Sequence, residues 1–438
     1  MPARTGRCCN ERFAGARPMN DRLDPQHAAA DLIEEAARQV EGRVLAWRRD
    51  LHAHPELGNR EFRTAGIVAD HLRRLGFDEV RTGVAHTGVV GLLKGALPGP
   101  VVALRADMDG LPVTEEVDLP FASKVRTQWN GEEVGVMHAC GHDCHVAILM
   151  GVAEVLAGLR ATLRGQVKFI FQPAEEMPPD GEDGGAKMMI AEGALEKPTP
   201  RVIFGLHVTS RLNVGEIGYR PGPTMASSDR FRITVRGRQT HGAAPWLGVD
   251  PIVVSSQIVL GLQTIVSRGQ DITREPAVVT VGMIRGGNRE NIIPDEVMMK
   301  GTIRTFDEGM RDDIHEQMTD IAEGIAKGNR AGCQVCINKN YPVTYNDPAL
   351  TAQMVPTLQR VAGDEHVHEV PKVTGAEDFS YYQQLIPGLF FFVGSTEKGL
   401  DPAKAPSNHS PRYKVDEASL SLGVRALAHV AWDWLATH

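Results

Sequence analysis

Apolar residues at Leu32, Ala36, Val40, Val44, Trp47 and Leu51 recur every three or four positions, the spacing that places them on one face of a helix. Ile67, Val68, Leu72 and Leu75 repeat the pattern until Gly76 interrupts it. Two amphipathic helices are therefore expected to open the fold. Unbroken apolar runs follow at 89–93, 101–104, 167–171, 202–206 and, much later, 389–393. Their length and lack of alternation fit strands covered on both faces. Helical patterns at 146–159 and 186–192 lie between them, which predicts an α/β sheet covered by helices.

The rhythm changes near Asp229, where Phe231, Ile233 and Val235 alternate with polar residues as in a half-exposed strand. Asp250-Pro251 supplies an N-cap and a first-turn proline for a helix over 252–265. Strands over 277–284 and 297–305, a helix over 308–327 and a strand over 333–338 complete the order β-α-β-β-α-β, the ferredoxin-like unit. Elements of the first kind resume after Tyr341, with a helix near 349–361 and another at the C-terminus, so the second unit reads as an insertion. The expected division is a disordered segment 1–24, a large unit of 25–223 and 340–438, and an inserted domain of 224–339.

Composition narrows the function classes. With 42% hydrophobic and 23% charged residues the chain is ordinarily globular, and its net charge of -8 repels a polyanion, which argues against a nucleic-acid partner. No run approaches a membrane-spanning length of ~18 consecutive apolar residues, and the Arg-rich residues 1–20 lack an apolar leader core, so the expected location is cytoplasmic. Met19 is an alternative start. Cys8, Cys9, Cys140, Cys144, Cys333 and Cys336 are too few and too irregular for a disulfide framework and are read as reduced thiols. Cys333-Gln-Val-Cys336 has zinc-ribbon spacing but no second pair, and a structural role in a strand is preferred.

The chemistry collects at strand ends. The run 101–104 leads to Asp107-Met-Asp109, 167–171 leads to Gln172-Pro-Ala-Glu175-Glu176, and 202–206 leads to His207. Ligands of open α/β sheets bind beyond the carboxyl ends of the strands, so these groups can converge. Between the first two runs lies His138-Ala-Cys140-Gly-His142-Asp143-Cys144-His145, just ahead of a predicted helix. One strand-end carboxylate is unremarkable in a wet loop, but several in one cleft beside a Cys/His loop are costly unless a cation offsets them. The donor mixture favours Zn²⁺, with Mn²⁺ or Co²⁺ as alternatives. Adjacent Glu175 and Glu176 can divide the work, one binding metal while the other moves a proton for hydrolysis.

These segments resemble the M20 metallopeptidase and amidohydrolase family, in its hippurate hydrolase and aminoacylase branch with the IAA-amino acid hydrolases. The resemblance runs from about Leu45 to the C-terminus through Leu51-His-Ala-His54-Pro-Glu56, Leu104-Arg-Ala-Asp-Met-Asp109, Met137-His-Ala-Cys-Gly-His-Asp143, Phe171-Gln-Pro-Ala-Glu-Glu176, Gly205-Leu-His207, Gly375-Ala-Glu-Asp378 and Asn408-His409. It implies an α/β/α sandwich with an inserted lid and dimerisation domain, and a binuclear site on Cys140, His142, Glu176, His207 and His409. Glu175 would be general base and acid. Asp107 stands where related branches have a ligating His, so it is read, with Asp109 and Asp143, as a residue that orients ligands. His241 would polarise the scissile carbonyl, often from a neighbouring subunit, and Asn291 and Arg304 would hold the substrate carboxylate. His52, His54 and Glu56 match the family and are expected to be buried and hydrogen-bonded. Pro245-Trp246 departs from close relatives, and the pairs Met188-Met189 and Met298-Met299 are read as core filler. The implied protein is a homo-oligomer, dimer or tetramer, that cleaves N-acyl amino acids using two divalent metal ions. A dipeptidase or carboxypeptidase acting on short peptides, or a non-catalytic ligand-binding relative, is the alternative.

Overall fold

The computed structural model describes residues 25–179 and 181–438. The segment 1–24, with Cys8, Cys9 and Met19, lies outside the described residues. Helices α1 (Pro25–Ala53) and α2 (Phe62–Arg74) form at the predicted places and bury Val40, Val44, Leu51, Val68 and Leu72. Leu32, expected to face inward, is exposed, and its neighbour Ile33 takes the buried position. Strands β1 (Glu79–Val84), β2 (Gly88–Lys94) and β3 (Leu97–Asp107) follow, then a small hairpin of β4 (Arg126–Trp129) and β5 (Glu132–Gly135). Next come α3 (His142–Gly158), β6 (Arg164–Gln172), α4 (Gly185–Ala191), β7 (Val202–Asn213), β8 (Ile217–Tyr219) and β9 (Gly222–Met225).

β9 crosses the expected boundary at 223/224, and the inserted unit starts just beyond it. It consists of β10 (Asp229–Arg236), β11 (Thr240–His241), α5 (Pro251–Thr264), β12 (Ala277–Gly286), β13 (Ile292–Ile293), β14 (Glu296–Thr305), α6 (Glu308–Gly328) and β15 (Gly332–Lys339). Its antiparallel sheet has the order β12-β14-β10-β15, which is ferredoxin-like. Ile233 and Val235 pack with Val254, Ile258, Leu262, Ile314 and Met318 on one face of this sheet. The cross-strand pairs Arg230↔Thr302 and Arg232↔Lys300 occupy the other, which carries no helix. Cys333 and Cys336 stand three residues apart on β15, opposite Val235 and Arg232, so their side chains leave opposite faces of the sheet.

Asp250 caps α5 by accepting from the backbone N–H of Ile252 and Val253. The stretch Pro251–Gly269 is long and apolar enough, by length and composition, to cross a membrane, although the sequence offered no unbroken apolar run. Its inner side packs on the sheet, while Ile252, Val253 and Leu260 are 42%, 51% and 71% exposed.

The chain then returns through β16 (Thr344–Asn346), α7 (Pro348–Ala362), β17 (Val367–Glu369), α8 (Ser380–Gln383), β18 (Gly388–Thr396) and α9 (Ala418–Thr437). The large sheet has the order β1-β2-β6-β3-β7-β18-β8-β17, and β3, β6, β7 and β18 run parallel at its centre. On one face Leu104, Phe169, Phe171, Phe204 and Phe391 pack with residues of α1, α3 and α9; on the other, Ile170, Ile203 and Phe390 pack with Met189 and Tyr382. The unbroken apolar runs are thus central strands of an α/β sandwich covered on both sides.

Asp229 fastens the inserted unit at its two crossings. Buried at the start of β10, it accepts hydrogen bonds from Arg311 Nε and His315 Nε2 at 2.8 Å each, and from the backbone N–H of Asn340 at 2.9 Å. Burial alone would raise its carboxyl, but these donors outweigh that and hold it down at about 2.

Candidate metal centre

β3, β6 and β7 are parallel neighbours, so Asp107, Glu175, Glu176 and His207 emerge along one rim of the sheet. The Cys/His loop is brought there by the N-terminus of α3, which starts at His142, four residues before the apolar pattern suggested. Gly141 makes this entry possible with φ +96, and a Cβ there would lie 2.4 Å from Val208 Cγ2. The last segment, 408–409, is tied down by His409 N donating to Ala139 O at 2.8 Å and by Asn408 Nδ2 donating to Cys140 O at 3.0 Å and Val208 O at 3.1 Å. Ala174, Met177 and His409 all have φ between +51 and +86, so the backbone is strained on both sides of the Glu175-Glu176 pair and at His409 itself.

The five expected ligands face a common point. Donor atoms of Cys140, His142 and His207 lie within 4.8 Å of one another, as do those of Cys140, Glu176 and His409. Cys140 Sγ is 3.3 Å from both His207 Nε2 and His409 Nε2. Sulfur and nitrogen ligands of one tetrahedral zinc stand about 3.5 Å apart, given bond lengths of ~2.3 and ~2.0 Å.

Two of the three imidazoles, His142 and His207, are oriented by their other nitrogen. His142 Nδ1 is 3.1 Å from Asp109 Oδ1, which leaves Nε2 buried with no hydrogen-bond partner. His207 Nδ1 donates to Val208 O at 2.7 Å, so its Nε2 lone pair faces the thiol. Glu176 Oε1 is likewise orphaned, although His409 Nε2 lies 2.7 Å away. Buried polar atoms aimed at one another without hydrogen bonds are a cradle for a cation.

The electrostatics agree. Burial opposes a charge on His142, but Asp107 and Asp109 overcome it and raise the imidazole to about 10. Burial and the carboxylates of Glu176 and Glu175 push the Cys140 thiol well up. Protons occupy these donors where cations would otherwise sit.

Asp107 has a donor atom within 4.8 Å of those of His142 and His145, but both of its carboxylate oxygens are engaged by other side chains. Its Oδ2 takes Arg105 Nη1 at 2.6 Å and its Oδ1 lies 2.5 Å from His145 Nδ1, while His145 Nε2 accepts from Val208 N at 2.9 Å. Asp109 also accepts from Glu176 N at 2.9 Å and thus braces two of the five donors. Asp143 does something else. Its partners are Arg48 at 3.0 Å and His52 at 2.8 Å, so it braces α1 against α3 and orients no ligand. His52 is buried as expected, whereas His54 is exposed, because the end of α1 turns it to solvent.

Sequence reasoning missed Arg105, whose guanidinium is fully buried and reaches Gln172 Oε1 at 2.9 Å, Asp378 Oδ1 at 2.7 Å and Glu377 Oε1 at 3.0 Å. A charged residue inside a both-faces-buried strand was the available signal. Glu175 belongs to the same cluster. It is buried, its Oε2 lies 4.0 Å from His142 Nε2, and burial with the charges of Glu377, Glu176 and Asp378 pushes its carboxyl well up.

A cavity of about 770 Å³ opens from these residues toward the inserted unit. Arg304 lines it, but His241 and Asn291 do not. His241 is exposed on β11, its Nδ1 accepting from Ala243 N at 3.0 Å, and Asn291 O accepts from Gly242 N at 2.8 Å beside it.

A parallel sheet whose rim gathers a thiol, imidazoles and carboxylates on one water-accessible cavity defines a metal-dependent hydrolase. A family model described as Peptidase family M20/M25/M40 matches residues 103–433. The thermostable carboxypeptidase 1 of Saccharolobus solfataricus is 41% identical over 406 residues, covering 91% of this chain and 97% of its own length. The N-acetylcysteine deacetylase of Bacillus subtilis is 38% identical over 391 residues, covering 89% and 96%. The crystal structure of the Bacillus subtilis YXEP protein, a dinuclear metal binding peptidase, superposes with a TM-score of 0.75 at 35% identity, covering 92% of this chain and 100% of that one. The chain belongs to peptidase family M20. It is a hydrolase of amide bonds that uses divalent metal ions.

Proposed function

We propose that the protein hydrolyses N-acyl amino acids, releasing a carboxylic acid and a free amino acid. The observation that carries this reading is one cavity lined by Cys140, Glu176, His207 and His409 together with the buried carboxyl of Glu175 and Arg304, with His142 grouped against Cys140 and His207 just behind its wall. Cys140, His142, Glu176, His207 and His409 would hold two divalent ions, Zn²⁺ best matching the thiol and imidazoles. Cys140 belongs to two overlapping donor groups, which favours a pair of ions. When bound, these ions supply a water of lowered pKa and polarise the carbonyl.

Glu175 accepts the proton of the attacking water at its carboxylate and returns it to the departing amine nitrogen, which otherwise leaves as a poor, anionic group. Tyr341 fixes the segment by donating from its hydroxyl to Glu175 O at 2.5 Å. Arg304 offers a guanidinium to the substrate carboxylate. His241 would polarise the carbonyl with Asn291 beside it. Both lie outside the cavity of their own chain, and the apolar faces of Ile252, Val253 and Leu260 favour pairing with a second copy that supplies them. The free thiols favour a reducing location, the cytoplasm.

The 41% identity to a carboxypeptidase and the size of the cavity favour a second reading, in which a short peptide takes the place of the acyl group. Assays of N-acetyl, N-benzoyl and indole-acyl amino acids alongside dipeptides, after loading with Zn²⁺, Mn²⁺ or Co²⁺, separate the two. Glu175→Gln should retain fold and metal while turnover falls by about 10² or more. Near-normal turnover in that variant removes Glu175 from the mechanism.

A further inference from the structure

We propose that the amino acid released from this site carries a second carboxylate, and that Arg230 receives it beside Arg304. The inference rests on the reading of the cavity as an N-acyl amino acid site. Arg230 on β10 lies opposite Thr302 on β14, so Arg304, two residues further along, projects from the same face of the lid sheet. Both arginines line the cavity. Arg230 Nη2 reaches Met177 Sδ at 2.8 Å, which holds the guanidinium one residue from Glu176. A thioether is an uncharged, weak acceptor, and among the described residues no carboxylate pairs with the cation.

Arg304 has no hydrogen bond or ion pair with any described side chain. Burial and the nearby charge of Arg230 both weaken its hold on the proton, as expected of two like charges on adjacent strands. The acids of the neighbourhood are engaged elsewhere. Glu176 faces His409, Glu377 faces Arg105, Glu175 accepts from Asp378 N, and Asp229 serves Arg311 and His315. None of these carboxylates is within 4 Å of either guanidinium.

Two guanidiniums in one cleft with no carboxylate partner among the described residues call for a ligand with two negative groups. A monocarboxylate satisfies one and leaves the other repelled; an amino dicarboxylic acid such as glutamate or aspartate satisfies both bidentately. Further out on the same open face, Arg232 and Lys300 extend the positive field and draw a dianion in.

The test compares N-acetyl-L-glutamate with the isosteric but neutral N-acetyl-L-glutamine, and with N-acetyl-L-leucine, on metal-loaded protein. kcat/KM is measured for wild type, Arg230→Met and Arg230→Lys, and calorimetry measures equilibrium binding of the same ligands to Glu175→Gln. Glutamate should exceed glutamine by about tenfold or more in both readouts. Arg230→Met should collapse that ratio, Arg230→Lys should restore part of it, and added salt should weaken glutamate alone. Equal handling of glutamate and glutamine by wild type, or a loss in Arg230→Met that is the same for both, overturns the inference. Hydrolysis of N-acetyl-L-leucine without a glutamate preference overturns it and leaves the N-acyl amino acid reading standing; failure on every N-acyl amino acid overturns both.

Discussion

Replacing Arg105 by Met removes the cation that binds Asp107, Glu377 and Asp378 in the interior, where its own side chain is 1% exposed. Methionine fills much of the volume, so the loss is electrostatic and not a cavity. Breaking a buried ion pair from one side costs about 3–5 kcal/mol, a large part of the ~5–15 kcal/mol that keeps a domain folded. The sign with pH follows from the carboxyls. Burial already raises Glu377 to about 8 and Asp378 to about 6 against the opposing pull of Arg105, and removing the arginine raises them further. A carboxyl raised in the folded state favours folding when protonated, and that contribution is lost as pH rises through the folded value. The deficit of Arg105→Met relative to wild type should therefore be larger at pH 8 than at pH 5.5. Thermal and urea unfolding of metal-loaded wild type, Arg105→Met and Arg105→Lys at both pH values measure it, and the lysine variant should fall between the other two. A deficit below about 1 kcal/mol, or one that grows on acidification, would refute the view that Arg105 neutralises this cluster.

Asp229→Asn probes the fastening of the inserted unit: with the folded carboxyl held at about 2, the wild-type advantage should be complete above about pH 4 and vanish as pH falls toward 2, read from paired unfolding curves. Gly141→Ala forces a Cβ into a left-handed backbone and against Val208, which should cost about 2 kcal/mol or more and lower metal content by elemental analysis; unchanged stability and loading would show that this loop relaxes freely. Removing metal with a chelator should lower Tm, and re-addition to 100-fold above Kd should recover about 2.7 kcal/mol; an identical Tm with and without metal contradicts a cation cradle at the sheet rim.

The central strands were legible because parallel strands covered on both faces leave unbroken apolar runs, and the lid because its strands alternate and Asp250-Pro251 marks a helix start. The short strands β8, β9, β16 and β17 left no such trace, since elements of three or four residues are fixed by their sheet neighbours and not by local pattern. Strand ends followed by Asp, Glu and His pointed to Glu176 and His207, and the Cys/His loop to Cys140 and His142, whereas His409 stood out only by family resemblance. The resemblance misjudged Asp143, because adjacent residues in the first turn of a helix point in different directions, and His142 joins Cys140 and His207 while Asp143 faces α1. His241 and Asn291 stood out only by family resemblance, and nothing in the local sequence records that their own cavity is out of reach. Arg230 was passed over as one polar position in an alternating strand, because its lack of a counter-ion becomes visible only when the sheet is assembled.

The donors at the rim are drawn from both sides of the inserted unit, with Cys140, His142, Glu176 and His207 before it and His409 after it. During synthesis on the ribosome, four of the five precede the lid, while the fifth is untranslated along with the central strand β18 and the covering helix α9. On the proposed ligand set, the nascent chain therefore passes through a long interval with an incomplete cage, closed only in the final tenth of translation. On the same ligand set, truncated products lacking that segment would be hydrolytically silent.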